Sequence, residues 1–178
     1  MTSFVADLAK KAVRGGTKAL GAVFRRFRRP ASARGGLGPA GAADDTAGVP
    51  GAMKPQLTAN SCGPACGSQL LRESGLDVFQ SNLTTGFYRG MTPETLAANL
   101  NKFQSGWKGF YAYPSASQLS GLAAKGPFIA RIGGNPGHFV IVDSVSAGKV
   151  FLRDPAGGVS RTMGLSDFES IISGVVFR

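Results

Sequence analysis

The sequence predicts a domain of the α+β class, in which helices come first along the chain and an antiparallel sheet follows. Three observations predict this class. Apolar residues recur at helical spacing between residues 62 and 126, runs rich in β-branched residues begin at residue 128, and glycine, asparagine, proline and serine separate those runs. The hydrophobic content of 43% over 178 residues is ordinary for a protein that folds around a core.

The chain divides by composition into two regions. Residues 1–54 carry ten basic and three acidic side chains, a net charge of +7, whereas residues 55–178 carry ten and seven, a net charge of +3. The first region contains basic amphipathic stretches at 3–14 and 17–29, followed by a linker at 30–55 that is rich in glycine, alanine and proline. We predict a basic, largely disordered or amphipathic extension over 1–54 and a folded domain over 55–178.

Three helices are predicted in the first half of the folded domain. They extend from Cys62 to Gly75, from Pro93 to Phe103, and from Ser115 to Gly126. Ser61 and Thr92 stand at the N-cap positions of the first two helices, where a side-chain oxygen accepts from a free backbone N–H. Glycine follows the first and third helices, where a left-handed residue commonly ends a helix.

The second half predicts strands and one more helix. The strands are Phe128 to Ile132, His138 to Val145, Lys149 to Arg153 and Val175 to Phe177, and the helix lies near Leu165 to Ile172. Residues 146–148, Ser-Ala-Gly, form a predicted hairpin turn between the second and third strands. Consecutive strands are therefore expected to pair in an antiparallel sheet.

The chain contains a single histidine, His138, at the start of an apolar β-branched run. Cys62 is the natural partner for it, because a thiol attacks as the thiolate and a helix N-terminus favours that negative charge. His138 is then predicted to accept the thiol proton and to return it to the leaving group. This pair predicts a thiol-nucleophile active site.

Two further groups complete the predicted site. The hairpin through 146–148 brings Asp154 beside the start of the histidine strand, where its carboxylate can orient the imidazole. Asp143 is nearer in sequence, but it lies five residues along the same strand and so on the opposite face. Asp154 is therefore preferred. Gln56, six residues before Cys62, is predicted to stabilise the oxyanion together with the backbone N–H of the nucleophile.

These residues, in this order, resemble the papain-fold peptidases that remove double-glycine leaders in bacteriocin exporters. The resemblance covers about residues 55–178 and rests on three motifs, Gln56-x5-Cys62-Gly63-x-Ala65, Gly137-His138-Phe139-Val140-Ile141-Val142-Asp143 and Asp154-Pro155-Ala156-Gly157. It implies a helical N-terminal lobe whose nucleophile helix packs on an antiparallel sheet. It also implies Cys62 as nucleophile, His138 as base, Asp154 as orienting carboxylate and Gln56 as oxyanion donor, with no cofactor or metal.

The same resemblance sets expectations for partners and location. The membrane and ATPase domains of exporter members are not found in these 178 residues, and a stand-alone domain behind a basic segment also resembles bacterial secreted effectors and toxins. We expect a monomer that acts on a protein or peptide, resides in the bacterial cytoplasm or is secreted into a target cell, and has no cleavable signal peptide. The basic extension is expected to contact a membrane surface or an acidic partner, and no specific nucleic acid is predicted.

Several alternatives remain open from the sequence. The same residues would serve a deamidase, a transglutaminase or an acyltransferase, and a papain-fold module can also bind without catalysis.

Cys66 is expected to be a buried core residue, and no disulfide with Cys62 is expected across one helical turn. A zinc site from the two cysteines and His138 lacks a fourth ligand. The aromatic residues at 107–113 are expected to belong to the core or to line substrate subsites.

Overall fold

The computed structural model describes residues 52–84 and 90–178. The predicted amphipathic stretches at 3–14 and 17–29, and nearly all of the linker, lie outside those residues. In chain order the elements are α1 Cys62–Glu73, a 3-10 helix Gln80–Leu83, α2 Pro93–Leu100, β1 Lys108–Tyr111, α3 Ala116–Ala123, β2 Phe128–Ile132, β3 His138–Ser146, β4 Lys149–Asp154, β5 Val159–Gly164, α4 Leu165–Ile171 and β6 Ile172–Phe177.

The strands form one six-stranded antiparallel sheet in the order β1-β6-β2-β3-β4-β5. Neighbouring residues of a strand face opposite sides, so the sheet contributes to two cores. Ile129 and Ile141 are buried with α1 and α2, whereas Ala130 and Val140 are buried with α3 and α4. This is the predicted α+β layout, with the helix that bears Cys62 packed on the sheet.

Helix α1 begins at Cys62 as predicted and ends at Glu73, with Gly75 at a φ of 88° just beyond it. The predicted side-chain cap is wrong, because the Ser61 hydroxyl accepts from the Thr58 N–H at 2.8 Å and bonds no helix N–H. A Cβ at Gly67 would meet side chains of α2 and of the 3-10 helix, so this glycine allows α1 to pack closely against those two helices.

Other boundaries also differ from the sequence prediction. Helix α2 is capped by Thr92, whose Oγ1 accepts from the Thr95 N–H at 3.2 Å, but it stops at Leu100 and leaves Phe103 exposed. Strand β6 begins three residues earlier than predicted because the chain passes directly from α4 into it. The strands β1 and β5 were missed altogether. Their residues are mostly exposed or half-buried, so they lack the apolar run that marks a buried strand.

Candidate active site

Cys62 is the first residue of α1, and only 8% of it is exposed. The backbone N–H groups of Gly63 and Phe139 both act as donors that lower the pKa of its thiol. The first of these belongs to the free N–H groups at the start of α1, as the sequence argument required. The sulfur therefore lies where a negative charge is stabilised by backbone donors from both the helix and β3.

His138 begins β3, and its Nε2 lies 2.7 Å from Asp154 Oδ1 at the end of β4. The β3–β4 hairpin turns through Ala147 and Gly148, both with positive φ, as a two-residue turn between right-twisted strands requires. The carboxylate of Asp154 is buried and also accepts from the Ala156 N–H at 2.8 Å. The Asp154 carboxylate is therefore fixed in place by a backbone hydrogen bond that does not depend on His138.

The charges of Cys62 and His138 support each other. Burial raises the pKa of the Cys62 thiol, but the hydrogen bond from His138 and its charge outweigh burial and hold that pKa below its ordinary value. Burial lowers the pKa of His138, but hydrogen bonds to Asp154 and Cys62 outweigh it and raise the pKa to about 9. The hydrogen bond between the two groups thus favours the thiolate form of Cys62 and the imidazolium form of His138.

Asp143, the alternative orienting carboxylate, is engaged elsewhere. Both of its oxygens accept from Arg153 Nε at 3.0 Å, and Oδ1 accepts from Nη2 at 2.7 Å. Arg153 also binds the carboxylate of Glu73 at the end of α1. The structure therefore brings Asp154, rather than Asp143, to the histidine, in agreement with the argument from strand faces.

The sequence that carries these residues matches a known protein family. The model of the peptidase C39 family matches residues 52–177, a span that contains Cys62, His138 and Asp154. The chain belongs to the peptidase C39 family. It therefore has the papain-like α+β fold of this peptidase family, as the sequence predicted.

Two solved peptidase structures share the fold. The peptidase domain of Streptococcus ComA, a bifunctional ABC transporter involved in a quorum-sensing pathway, is 19% identical with a TM-score of 0.58, over 71% of this chain and 96% of that one. A double-glycine-motif protease from an AMS/PCAT transporter, solved with its leader peptide, is 21% identical with a TM-score of 0.56, over 71% and 92%. At these identities the likeness shows the fold.

A curated relative from Escherichia coli O1:K1:H7 is named Cysteine protease effector 1. It is 36% identical over 121 residues, which are 67% of this chain and 25% of the relative. The chain thus matches about a quarter of the relative's length.

No helix in the described part of the chain has both the length and the apolar composition needed to span a bilayer.

A cleft of about 390 Å³ opens beside Cys62 and His138 in this C39 peptidase. Its other lining residues come from the segment before α1, from α1, β1, β2 and β3, and from the loops before α2 and β3: Ala59, Asn60, Gly63, Gly90, Met91, Tyr111, Arg131, Asn135, Pro136, Gly137 and Phe139. Of the predicted aromatic residues, Trp107 is buried in the core, whereas Tyr111 reaches the cleft. The expectation of a core residue is confirmed for Trp107, and a substrate subsite at Tyr111 stays a prediction.

Gln56, the predicted oxyanion donor, lies at the edge of this arrangement. Its backbone N–H donates to the Pro155 carbonyl at 2.9 Å, which ties it to the residue after Asp154. Its side-chain Nε2 donates to the Thr58 carbonyl at 2.7 Å, and its buried Oε1 has no hydrogen-bond partner among the described residues. The cleft lining includes Asn60 rather than Gln56.

Two cleft features, Gly137 and Arg131, were missed in the sequence. The φ of Gly137 is not positive, so the backbone conformation does not explain a glycine there. Its missing side chain instead makes room for the guanidinium of Arg131, since a Cβ there would lie 2.2 Å from Cζ. Arg131 itself gave no signal, because a lone arginine inside an apolar strand is usually taken for an outward-facing residue.

Cys66 is fully buried, and burial raises the pKa of its thiol well above the ordinary value. Both cysteines are free thiols, in agreement with the absence of a disulfide expected from their spacing. Among the described residues no group of metal-ligating side chains is close enough to hold an ion. Cys66 is thus the buried core residue that the sequence predicted.

The imidazole of His138 is expected to titrate near pH 9 in the folded protein. The chain has one histidine, so a single imidazole signal in NMR spectra reports it without further assignment. Because the folded pKa is raised, the imidazolium stabilises the fold below the ordinary value of 6.5, and this contribution is lost as the pH rises through about 9. In Asp154→Asn the midpoint is expected to fall. A midpoint near 6.5 in the unchanged protein would contradict the ion pair.

Proposed function

We propose that Cys62, His138, Asp154 and Gln56 cleave peptide bonds through a thiol acyl-enzyme mechanism. The observation that carries the proposal is the contiguous set formed by the Cys62 thiol, the His138 imidazole and the buried Asp154 carboxylate beside an open cleft. Asp154 fixes the ring orientation through Nε2 and stabilises the imidazolium. The other side of the ring is then directed at the sulfur.

Acylation follows from this geometry. The thiolate of Cys62 attacks the carbonyl carbon of the scissile bond, and the carbonyl oxygen becomes an oxyanion. The backbone N–H of Cys62 and the free N–H of the Gln56 amide, the one not bound to Thr58, stabilise that oxyanion. The imidazolium of His138 then donates its proton to the leaving nitrogen as the C–N bond breaks. An amine product leaves, and a thioester remains on Cys62.

Deacylation uses the same groups in reverse. Neutral His138 accepts a proton from a water molecule, whose oxygen attacks the thioester carbon. The C–S bond breaks, the carboxylic acid product leaves and gives its proton to solvent, and the thiolate–imidazolium pair is restored. The cycle needs no metal or redox cofactor, because each step moves only a proton and one acyl group.

We propose a peptide or protein substrate and delivery as a bacterial effector. The relative named Cysteine protease effector 1 supports delivery, and the transporter protease solved with its leader peptide supports an extended peptide as the occupant of the cleft. Residues 1–54, with their net charge of +7, are proposed to bind a membrane surface or an acidic partner. Flotation with anionic liposomes, with and without these residues, tests the membrane part.

A survey of protein amino termini tests the peptidase proposal. A cell lysate is treated with the protein or with Cys62→Ala, which removes only the sulfur. New termini that depend on Cys62 are expected, and their sequences define the cleavage preference. Identical termini with both proteins would contradict peptidase activity. Glutamine residues converted to glutamate, without new termini, would assign the same residues to a deamidase.

A further inference from the structure

Arg131 is a buried cation in the wall of the catalytic cleft. It is the charged residue of β2, between four apolar residues that are all buried, and only 9% of it is exposed. The same cleft is lined by Cys62 and His138. A cation is therefore buried next to the reacting groups without being one of them.

The partners of Arg131 are neutral. Nη1 donates to Ser173 Oγ at 2.7 Å and to the Gly133 carbonyl at 3.2 Å, and Nη2 donates to the Gly134 carbonyl at 2.6 Å. The ring of Tyr111 lies 5.1 Å from Cζ and shields one side. Among the ion pairs of the described residues, Arg131 has none.

This arrangement leaves both charge and donors uncompensated. The three bonds to neutral acceptors leave the Nε–H and the second N–H of Nη2 without a partner in the described residues. Gly137 has no side chain to cover the guanidinium, and any Cβ at that position would collide with it. Burial of a cation without an anion is costly, so an anion that enters the cleft gains a charge-assisted hydrogen bond there. Arginine in particular matches the planar carboxylate group.

We propose that Arg131 is a specificity-determining residue that binds a carboxylate of the peptide substrate close to the scissile bond. The proposal rests on the proposed function, because it assigns the substrate class of the same cleft. The carboxylate belongs to an aspartate or glutamate side chain or to the C-terminus of the peptide. Tyr111 and the backbone carbonyls of Gly133 and Gly134 keep the guanidinium in place for it.

Two maleimides of similar size test the anion site without a peptide. N-ethylmaleimide is neutral and 3-maleimidopropionate carries a carboxylate, and both label Cys62. The ratio of the labelling rate with 3-maleimidopropionate to the labelling rate with N-ethylmaleimide is expected to be about tenfold higher in the unchanged protein than in Arg131→Met. Both proteins keep the His138 imidazolium, but only the unchanged protein has the Arg131 guanidinium in the cleft. Arg131→Lys is expected to recover part of the ratio. Each ratio is internal to one protein, so a general change in Cys62 reactivity cancels.

An equal ratio in the unchanged protein and Arg131→Met would overturn the proposal. Absence of peptide cleavage together with the predicted ratio would count against the proposed function alone, since the maleimides need no acyl transfer to water. The terminus survey then identifies the source of the carboxylate. An acidic residue enriched at one subsite, and lost in Arg131→Met, assigns the side chain, whereas cleavage confined to chain ends assigns the C-terminal carboxylate. Sites without either preference would overturn the assignment.

Discussion

His138→Ala is expected to reduce kcat/KM for peptide cleavage by at least about 10³-fold, a loss typical of removing one member of such a catalytic set. The chain has no second histidine that could substitute for the lost base. Burial raises the pKa of the Cys62 thiol, and without the imidazole only the backbone N–H groups of Gly63 and Phe139 oppose it, so less thiolate forms at neutral pH. The leaving nitrogen also loses its proton donor.

The fold is expected to survive this change. The Asp154 carboxylate keeps the Ala156 N–H and the guanidinium of Arg161, 3.2 Å away, so its charge is not left unpaired. Thermal unfolding of His138→Ala and of the unchanged protein serves as the control. Cleavage within tenfold of the unchanged rate, in a variant that is folded, would contradict the assigned role of the base.

Arg153→Met is expected to lower the free energy of unfolding by about 3 kcal/mol, the cost of breaking a buried ion pair from one side. The guanidinium is 5% exposed and binds Glu73 and Asp143 together. It thereby joins the end of α1, β3 and β4, the three elements that carry the candidate catalytic residues. The expected loss is at the low end of the usual range because the side chains of Glu73 and Asp143 are each about one third exposed.

Chemical denaturation of Arg153→Met measures this loss, and Arg72→Met, next to Glu73 in α1, is a matched control. Arg72 lies 3.6 Å from Asp77, whose side chain is 75% exposed, so its loss is expected to cost less than about 1 kcal/mol. Burial raises the pKa of Glu73, but hydrogen bonds from Arg153 and Gln69 hold it below its ordinary value of 4.5. The difference between the unchanged protein and Arg153→Met should therefore shrink as the pH falls below 4.5. Equal losses for both arginine variants would contradict the role of Arg153.

The fold was predictable where the chain dictates its own local structure. The cap at Thr92 and the turn at residues 146–148 each follow from residue types within a few positions, and the structure has both. Strands β1 and β5 depend on the sheet that receives them. Their own residues are mostly exposed or half-buried and carry no apolar pattern of their own.

The candidate site likewise has a part that could be predicted from the sequence and a part that could not. The contact between His138 and Asp154 follows from strand alternation and one hairpin, which the sequence supplies. Arg131 could not be found that way, because its partners are loop carbonyls and a serine 42 residues away. The role of Gln56 also stays a prediction. Its spacing from Cys62 is fixed by the sequence, but its amide orientation depends on Thr58 and Pro155.

Selective alkylation of the two cysteines tests the central claim most directly. The folded protein is treated with iodoacetamide at about pH 6, below the ordinary thiol pKa, and labelling at each cysteine is followed by mass spectrometry. Cys62 is expected to react at least about 100-fold faster than the buried Cys66, and this advantage should disappear in His138→Ala. Equal, slow labelling of both cysteines in the unchanged protein would contradict an activated Cys62 thiolate.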